Sequence, residues 1–242
     1  MINSVRNTVL AIINKNNYGY ISPSDFNLFA KQAQLDLFDE YFYSYNQQIN
    51  KENSRISGTG YADLKKGIEE VIDIFSVTQS LSQNANNIFI LPSASTTGSD
   101  YYLLNKVLCS TGGVYKGEAE KVGQSKITLL NSSILTAPSI TYPAYSQEAS
   151  SITIYPSTYN TFGDVQAQYI RYPEDPKWTF TSISNGDPIF DQSQPDFQDF
   201  ELPIDDGNDL VAKILQYAGI SIREGDVVKF GQMEEQIQNQ QQ

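Results

Sequence analysis

Apolar residues near the start of the chain recur at helical spacing. Ile2, Val5, Val9, Ile12 and Ile13 fall three and four apart and predict a helix over Ile2–Ile13. Asn14, Asn16, Asn17 and Gly19 interrupt it. Ser22-Pro23-Ser24-Asp25 is a helix start, with Ser22 as N-cap, Pro23 in the first turn and Asp25 at the positive end of the dipole. The helix expected from there to about Asn46 is apolar on two sides. Phe26, Phe29, Ala30, Ala33 and Leu37 line one; Leu28, Leu35, Phe38 and Phe42 line the other. Such a helix needs two partners: both in a three-helix core of its own chain, or one on a neighbouring subunit. Gln47–Tyr61 reads as a polar loop, Ala62–Phe75 as an antiparallel second helix, and Ser76–Asn87 as a low-charge connector.

Beyond Ile88 the period changes to two. Ile88–Pro92 is a short strand, and Asp100–Cys109 a buried strand or a short helix. Val114–Val122 pairs back across Gly112 and Gly113. Ser125–Asn131 is a short helix, and Ala137–Tyr145 an extended segment broken by Pro138 and Pro143. The clearest alternation is in Ile152–Tyr155 and Val165–Tyr172, ended by Pro156 and by Pro173 and Pro176. With Asn160 and Gly163 between them, they read as a β-hairpin or two neighbouring strands, whose exit delivers Trp178 to a surface or a core. Trp178–Ile183 and Phe200–Ile204 are further strands. Asp205 or Asp206 caps a helix over about Asn208–Tyr217, ended by Gly219. Asp226 opens a last helix into the Gln-rich end. There Met233 and Ile237 stand four apart, in a frayed tail or a docking helix.

These elements predict an α+β fold. Residues 1–85 and 205–242 form a helical bundle from the N- and C-terminal helices, and residues 86–204 an inserted β-rich part, barrel or sandwich-like. No period of 20–50 residues repeats.

Composition adds a direction. Only 18% of the 242 residues are charged, while tyrosine occurs 16 times. Uncharged polar groups and tyrosine suit surfaces covered by other proteins, since tyrosine offers apolar area at low entropy cost; composition by itself fits the ordinary polar surface of a β-rich soluble protein better still. The net charge of −12 argues against gripping phosphate backbones, which takes clustered Lys and Arg. Eight acids and no base fall between Asp187 and Asp209, Asp187, Asp191, Asp196 and Asp199 among them. The absence of histidine removes the commonest general base and metal ligand. The lone Cys109 reads as a small buried apolar residue. No stretch has 18 apolar residues in a row, so a chain made in a cytoplasm, without signal peptide or membrane insertion, is expected.

No constellation reads as an active site. Glu118 and Glu120 alternate on a strand, as solvated acids do far more often than glycosidase pairs. Asp205-Asp206-Gly207-Asn208-Asp209 lacks the spacing of a calcium loop. Gly112-Gly113-x-x-x-Gly117 lacks the Lys-Ser/Thr of a phosphate loop. Catalytic residues, cofactors and metals are therefore expected to be none.

Four stretches carry a resemblance. They are the I-x-I-Y-P … Y-I-R-Y-P-x-x-P-x-W pattern over 152–178, Leu129–Tyr145 with its A-P and Y-P steps, Ile21–Gln34, and Leu210–Phe230. In order and spacing they resemble the ring-forming head–tail connectors (portal adaptors) of crAss-like and related tailed phages. The resemblance implies a non-enzymatic virion protein, a ring of twelve identical copies at the head–tail junction, assembled in the host cytoplasm. Its partners would be itself, the portal protein and other tail or ring proteins, with phage DNA passing through unbound and no membrane involved. Rings close through heterologous contacts; Phe29, Phe38, Phe42, Trp178, Met233 and Ile237 are the expected contact residues, and Asp187, Asp191, Asp196 and Asp199 the expected acidic wall of the lumen. Two other classes stay open: a β-rich fibre or receptor-binding module, and a hydrolase with two carboxylates about 5–10 Å apart.

Overall fold

The Asp25 backbone N–H donates to Ser22 Oγ at 3.1 Å, so the Ser-Pro-Ser-Asp signal does start a helix. The computed structural model describes residues 1–14, 20–53, 61–97, 100–182, 188–222 and 233. The chain divides into two compact units, Met1–Val71 with Pro173–Gln242, and Ile72–Tyr172. The class is α+β. The boundaries differ from those read at 86 and 205: the supposed connector pairs as strands, and residues 173–204 belong with the helices.

The first unit holds α1 (Ile2–Asn14), α2 (Pro23–Asn53), α3 (Tyr61–Asp73) up to its last two residues, and α6 (Gly207–Ile222); the short helices α4 (Ala94–Thr97) and α5 (Gln124–Asn131) belong to the second. α6 packs on both α1 and α2. Val5 and Val9, then Phe26, Ala30, Ala33 and Leu37, then Leu210, Ile214 and Leu215 are buried there. α2 runs past the expected end at Asn46, because no Gly or Pro follows until Gly58. α6 runs through Gly219, which is buried inside it; tertiary packing outweighs the roughly 1 kcal/mol that glycine costs a helix. Phe200–Ile204 is not a strand: Phe200 and Leu202 are buried anchors of an irregular segment. The helix expected from Asp226 lies outside the described residues.

Trp178 organises this unit. It is 2% exposed, with the Arg6 guanidinium 3.8 Å above its ring and Phe180 and Phe190 stacked at 5.6 and 5.9 Å. Its indole N–H donates to Asn3 Oδ1 at 3.1 Å. Asn27 clamps its backbone, accepting from Trp178 N–H at 2.8 Å and donating to its carbonyl at 3.2 Å. A hairpin of β10 (Phe180–Ser182) and β11 (Pro188–Phe190) follows.

The second unit is two sheets around one core. β1 (Ser76–Ser80), β9 (Val165–Arg171), β4 (Tyr101–Thr111) and β5 (Val114–Glu118) form one, all antiparallel, in the order β1-β9-β4-β5. β2 (Ser82–Ala85), β3 (Ile88–Ile90), β8 (Ser151–Tyr155), β7 (Ala144–Gln147) and β6 (Glu120–Lys121) form the other, with only β6 and β7 parallel. Val107, Cys109, Val165, Ala167 and Tyr169 from the first share a core with Phe89, Tyr145, Ile152 and Ile154 from the second. This corrects the expected hairpin. β8 and β9 lie in different sheets, and the segment between them crosses the core, where Tyr159 is fully buried. Two alternating runs around a turn cannot tell a hairpin from a sheet-to-sheet crossing, since each buries one face either way. The β4–β5 hairpin is as expected: Gly112 and Gly113 both hold positive φ (58° and 78°), as a tight two-residue turn demands.

Candidate interaction surface

After β5 the chain changes sheets. The Ala119 N–H donates to Val107 O and the Glu120 N–H to Pro143 O, so consecutive residues join different sheets. β6 then leads into α5 (Gln124–Asn131), which buries Ile127 against Val122 and Ala144. From Ile127 to Gln147 no residue is charged. The segment between α5 and β7 has no helical or strand period, yet its backbone is well bonded. Ser132 and Ser133 close the end of α5; Thr136 and Ala137 donate to Ser133 O; Ser139 and Tyr142 exchange backbone bonds at 3.1 and 3.2 Å. Three contacts fix its shoulders. The buried Tyr159 hydroxyl donates to Ile140 O at 2.6 Å. Pro143 accepts from Glu120. Thr141 O comes so close to Gly117 that a Cβ there would meet it at 3.0 Å, the physical reason for glycine in β5.

What this segment holds out is apolar. Ile134 is 98% and Leu135 96% exposed, with Leu129 and Tyr142 more than two-thirds exposed and Ile140 beside them. A groove of about 610 Å³ runs beneath, lined by Leu130, Ile134, Leu135 and Pro138 and by Glu118, Glu120 and Lys126 at its polar margin. Single exposed apolar residues are ordinary; Ile134, Leu135 and Tyr142 gathered at one groove on a bonded scaffold mark a surface that another molecule covers. Helical and strand periodicity both overlook these residues. A 21-residue gap in charge coincides with them, but the 26-residue gap over 74–99 folds into β1, β2 and β3, so a lack of charge does not by itself find such a surface.

The expected contact residues fare unevenly. Phe38, 1% exposed, and Trp178 are buried in the chain's own core and offer no surface to another copy. Phe29 and Phe42 are half-buried; Phe42 meets Phe38 edge-on at 4.9 Å. Leu28 and Tyr43 are the exposed large apolar residues among the described residues of α2, and Met233 is exposed. Ile237 and Asp187 lie outside the described residues.

The other three acids hold local structure. Asp191 accepts from Ser193 N and Oγ at 2.9 and 2.6 Å and from Gln194 at 2.9 Å, which lowers its pKa. Asp196 pairs with Lys177, which lowers it likewise. Asp199 accepts from the Met1 ammonium at 2.6 Å, Ile2 N at 2.7 Å and Phe200 N at 2.8 Å. Burial pushes its carboxyl up, and these donors together bring it below the usual range. Asp206 takes the Tyr41 hydroxyl; burial, reinforced by Asp205, raises its pKa despite that bond.

Glu118 is exposed and pairs with Lys106 at 3.2 Å. Burial, with a smaller push from Asp164, raises the Cys109 thiol to about 12, so it stays protonated and inert. Among the described residues, no three His, Cys, Asp or Glu side chains converge to hold a metal ion, and no helix is long and apolar enough to cross a membrane. Compared with known protein families and with characterised proteins, the chain matches none.

Proposed function

We propose that this chain is a structural virion protein that assembles with copies of itself into a ring at the head–tail junction of a tailed phage. The ring links portal to tail and continues the DNA channel, with a helical bundle from both chain ends carrying an inserted β part. The observation that supports this best is the bonded apolar tip at Ile134 and Leu135, left uncovered by its own chain. A protein that works alone in water has no use for it; a protein covered by subunits does. In this reading the acidic segment 187–209 borders the channel. Its charge keeps DNA from adhering, with Asp196 and Asp199 contributing least because Lys177 and the Met1 ammonium offset them.

Co-expression with the portal protein, followed by electron microscopy of the purified particles, tests the proposal. Closed rings seated on the portal are expected. A chain that stays monomeric beside assembled portal sinks it.

A further inference from the structure

The charge of this chain is divided very unevenly. Residues 72–172 hold six acids and five bases, a net of −1; the remainder holds 22 acids and 11 bases, a net of −11. Two copies that meet through the helical unit bring like charges together. Two copies that meet through the uncharged 127–147 stretch do not.

Area points the same way. Ile134, Leu135 and Tyr142, which line one groove, together expose on the order of 500 Å², against the ~800 Å² per partner of a standard-size interface. These three residues therefore supply more than half of what a specific contact needs.

We infer that the occupant of the apolar tip is a second copy of this chain: Ile134 and Leu135 of one molecule seat on the 127–147 stretch of the next. The copy-to-copy contact thus lies on the β unit, not on the aromatic helix α2. This deepens the function proposed above and rests on it for self-association alone, not for a closed ring or a phage. Charge borders the contact only at the groove margin, as Glu118 (paired with Lys106), Glu120 and Lys126, so its strength depends only weakly on salt. An interface between acidic faces would instead tighten as salt screens the repulsion.

The test is mass photometry and sedimentation velocity on the full chain over a concentration series, at low and at about 1 M salt. Three proteins are compared: the wild type, Ile134→Asp with Leu135→Asp, and Leu28→Asp on the exposed face of α2. The tip residues are almost wholly exposed, so the double variant should fold with an unchanged melting curve. Expected is a wild-type oligomer whose dissociation constant changes less than about threefold with salt. The double variant should weaken it at least about 100-fold, because each aspartate would be stripped of water and face its own copies. Leu28→Asp should leave it intact. Oligomers that survive the double variant overturn this inference and leave the ring reading standing. Two-fold dimers that never close, yet vanish in the double variant, do the opposite. A wild type monomeric at every concentration, or steep tightening with salt, also overturns it. In the monomeric case the tip belongs to a different protein.

Discussion

The two units solve the same burial problem in opposite ways. The helical unit carries almost all the net charge and turns its largest aromatic residues inward, with Trp178 enclosed by Arg6, Phe180 and Phe190. The β unit is nearly neutral. It fills its interior with Ile and Val and with the buried tyrosines Tyr145, Tyr159 and Tyr169, then leaves two aliphatic side chains almost fully in water. Averaged over the chain, the composition is that of one acidic, tyrosine-rich surface. Split at residues 72 and 172, it describes a repelling part and a sticky part. Aromatic content on α2 thus goes with burial at Phe38, while exposed apolar residues appear on an ordered segment of the other unit.

Breaking each core gives the largest effects. Trp178→Ala should cost the helical unit about 3–5 kcal/mol, and Ile154→Ala should cost the β unit about 2–5 kcal/mol. Urea denaturation read by hydrogen exchange assigns each loss to its unit. A Trp178→Ala protein within 1 kcal/mol of wild type, on the order of a surface change, would mean that its enclosure is not a core.

Smaller changes probe how the β unit presents its tip. Replacing Gly113, at φ 78°, with valine should cost about 1–2 kcal/mol and loosen the β4–β5 turn, seen as faster exchange of the Val114 amide. Gly117→Ala drives a methyl against Thr141 O, so a loss of about 1 kcal/mol is expected, with a several-fold weaker oligomer. Were the oligomer weakened without any loss of stability, Gly117 would itself be a contact residue.

The smallest effect concerns acid and belongs to the helical unit. Asp206 has a raised folded-state pKa, so the folded chain holds its proton more readily than the unfolded one. Its charged form costs stability at neutral pH, and that cost disappears as pH falls through the raised value. Asp191, Asp196 and Asp199 are lowered, so what they contribute is present above the unfolded carboxyl value and lost as pH falls through their folded values. Asp206→Asn keeps an acceptor for Tyr41 and removes the charge. It should stabilise by less than about 1 kcal/mol at pH 7, given screening, with the gain gone below the ordinary Asp range. Melting curves at pH 7 and pH 3 compare the two; a gain at both would point to packing instead of charge.

Helices were legible where a stripe and a start signal coincide, as at α1 and at Ser22. Turns were legible where glycine leaves one choice, as at Gly112–Gly113. β1 and β2 escaped notice because edge strands carry polar residues on the side facing water, and Ser-Val-Thr-Gln-Ser reads like a connector. The surface carried by 129–142 was not legible, since its lack of charge is shared by the longer run 74–99, which pairs as strands.

Local patterning by itself determined the α+β class, the helix starts, the β4–β5 turn and the burial of Cys109, because each depends on spacing within a few residues or on burial of a single side chain. The tertiary structure decided that β8 and β9 go to opposite sheets, that Trp178 faces inward and that Ile134 and Leu135 face out. Those outcomes depend on which surfaces are already taken when a segment docks. An apolar side chain is equally content in any dry place, so its identity says that it seeks cover and not where cover is found.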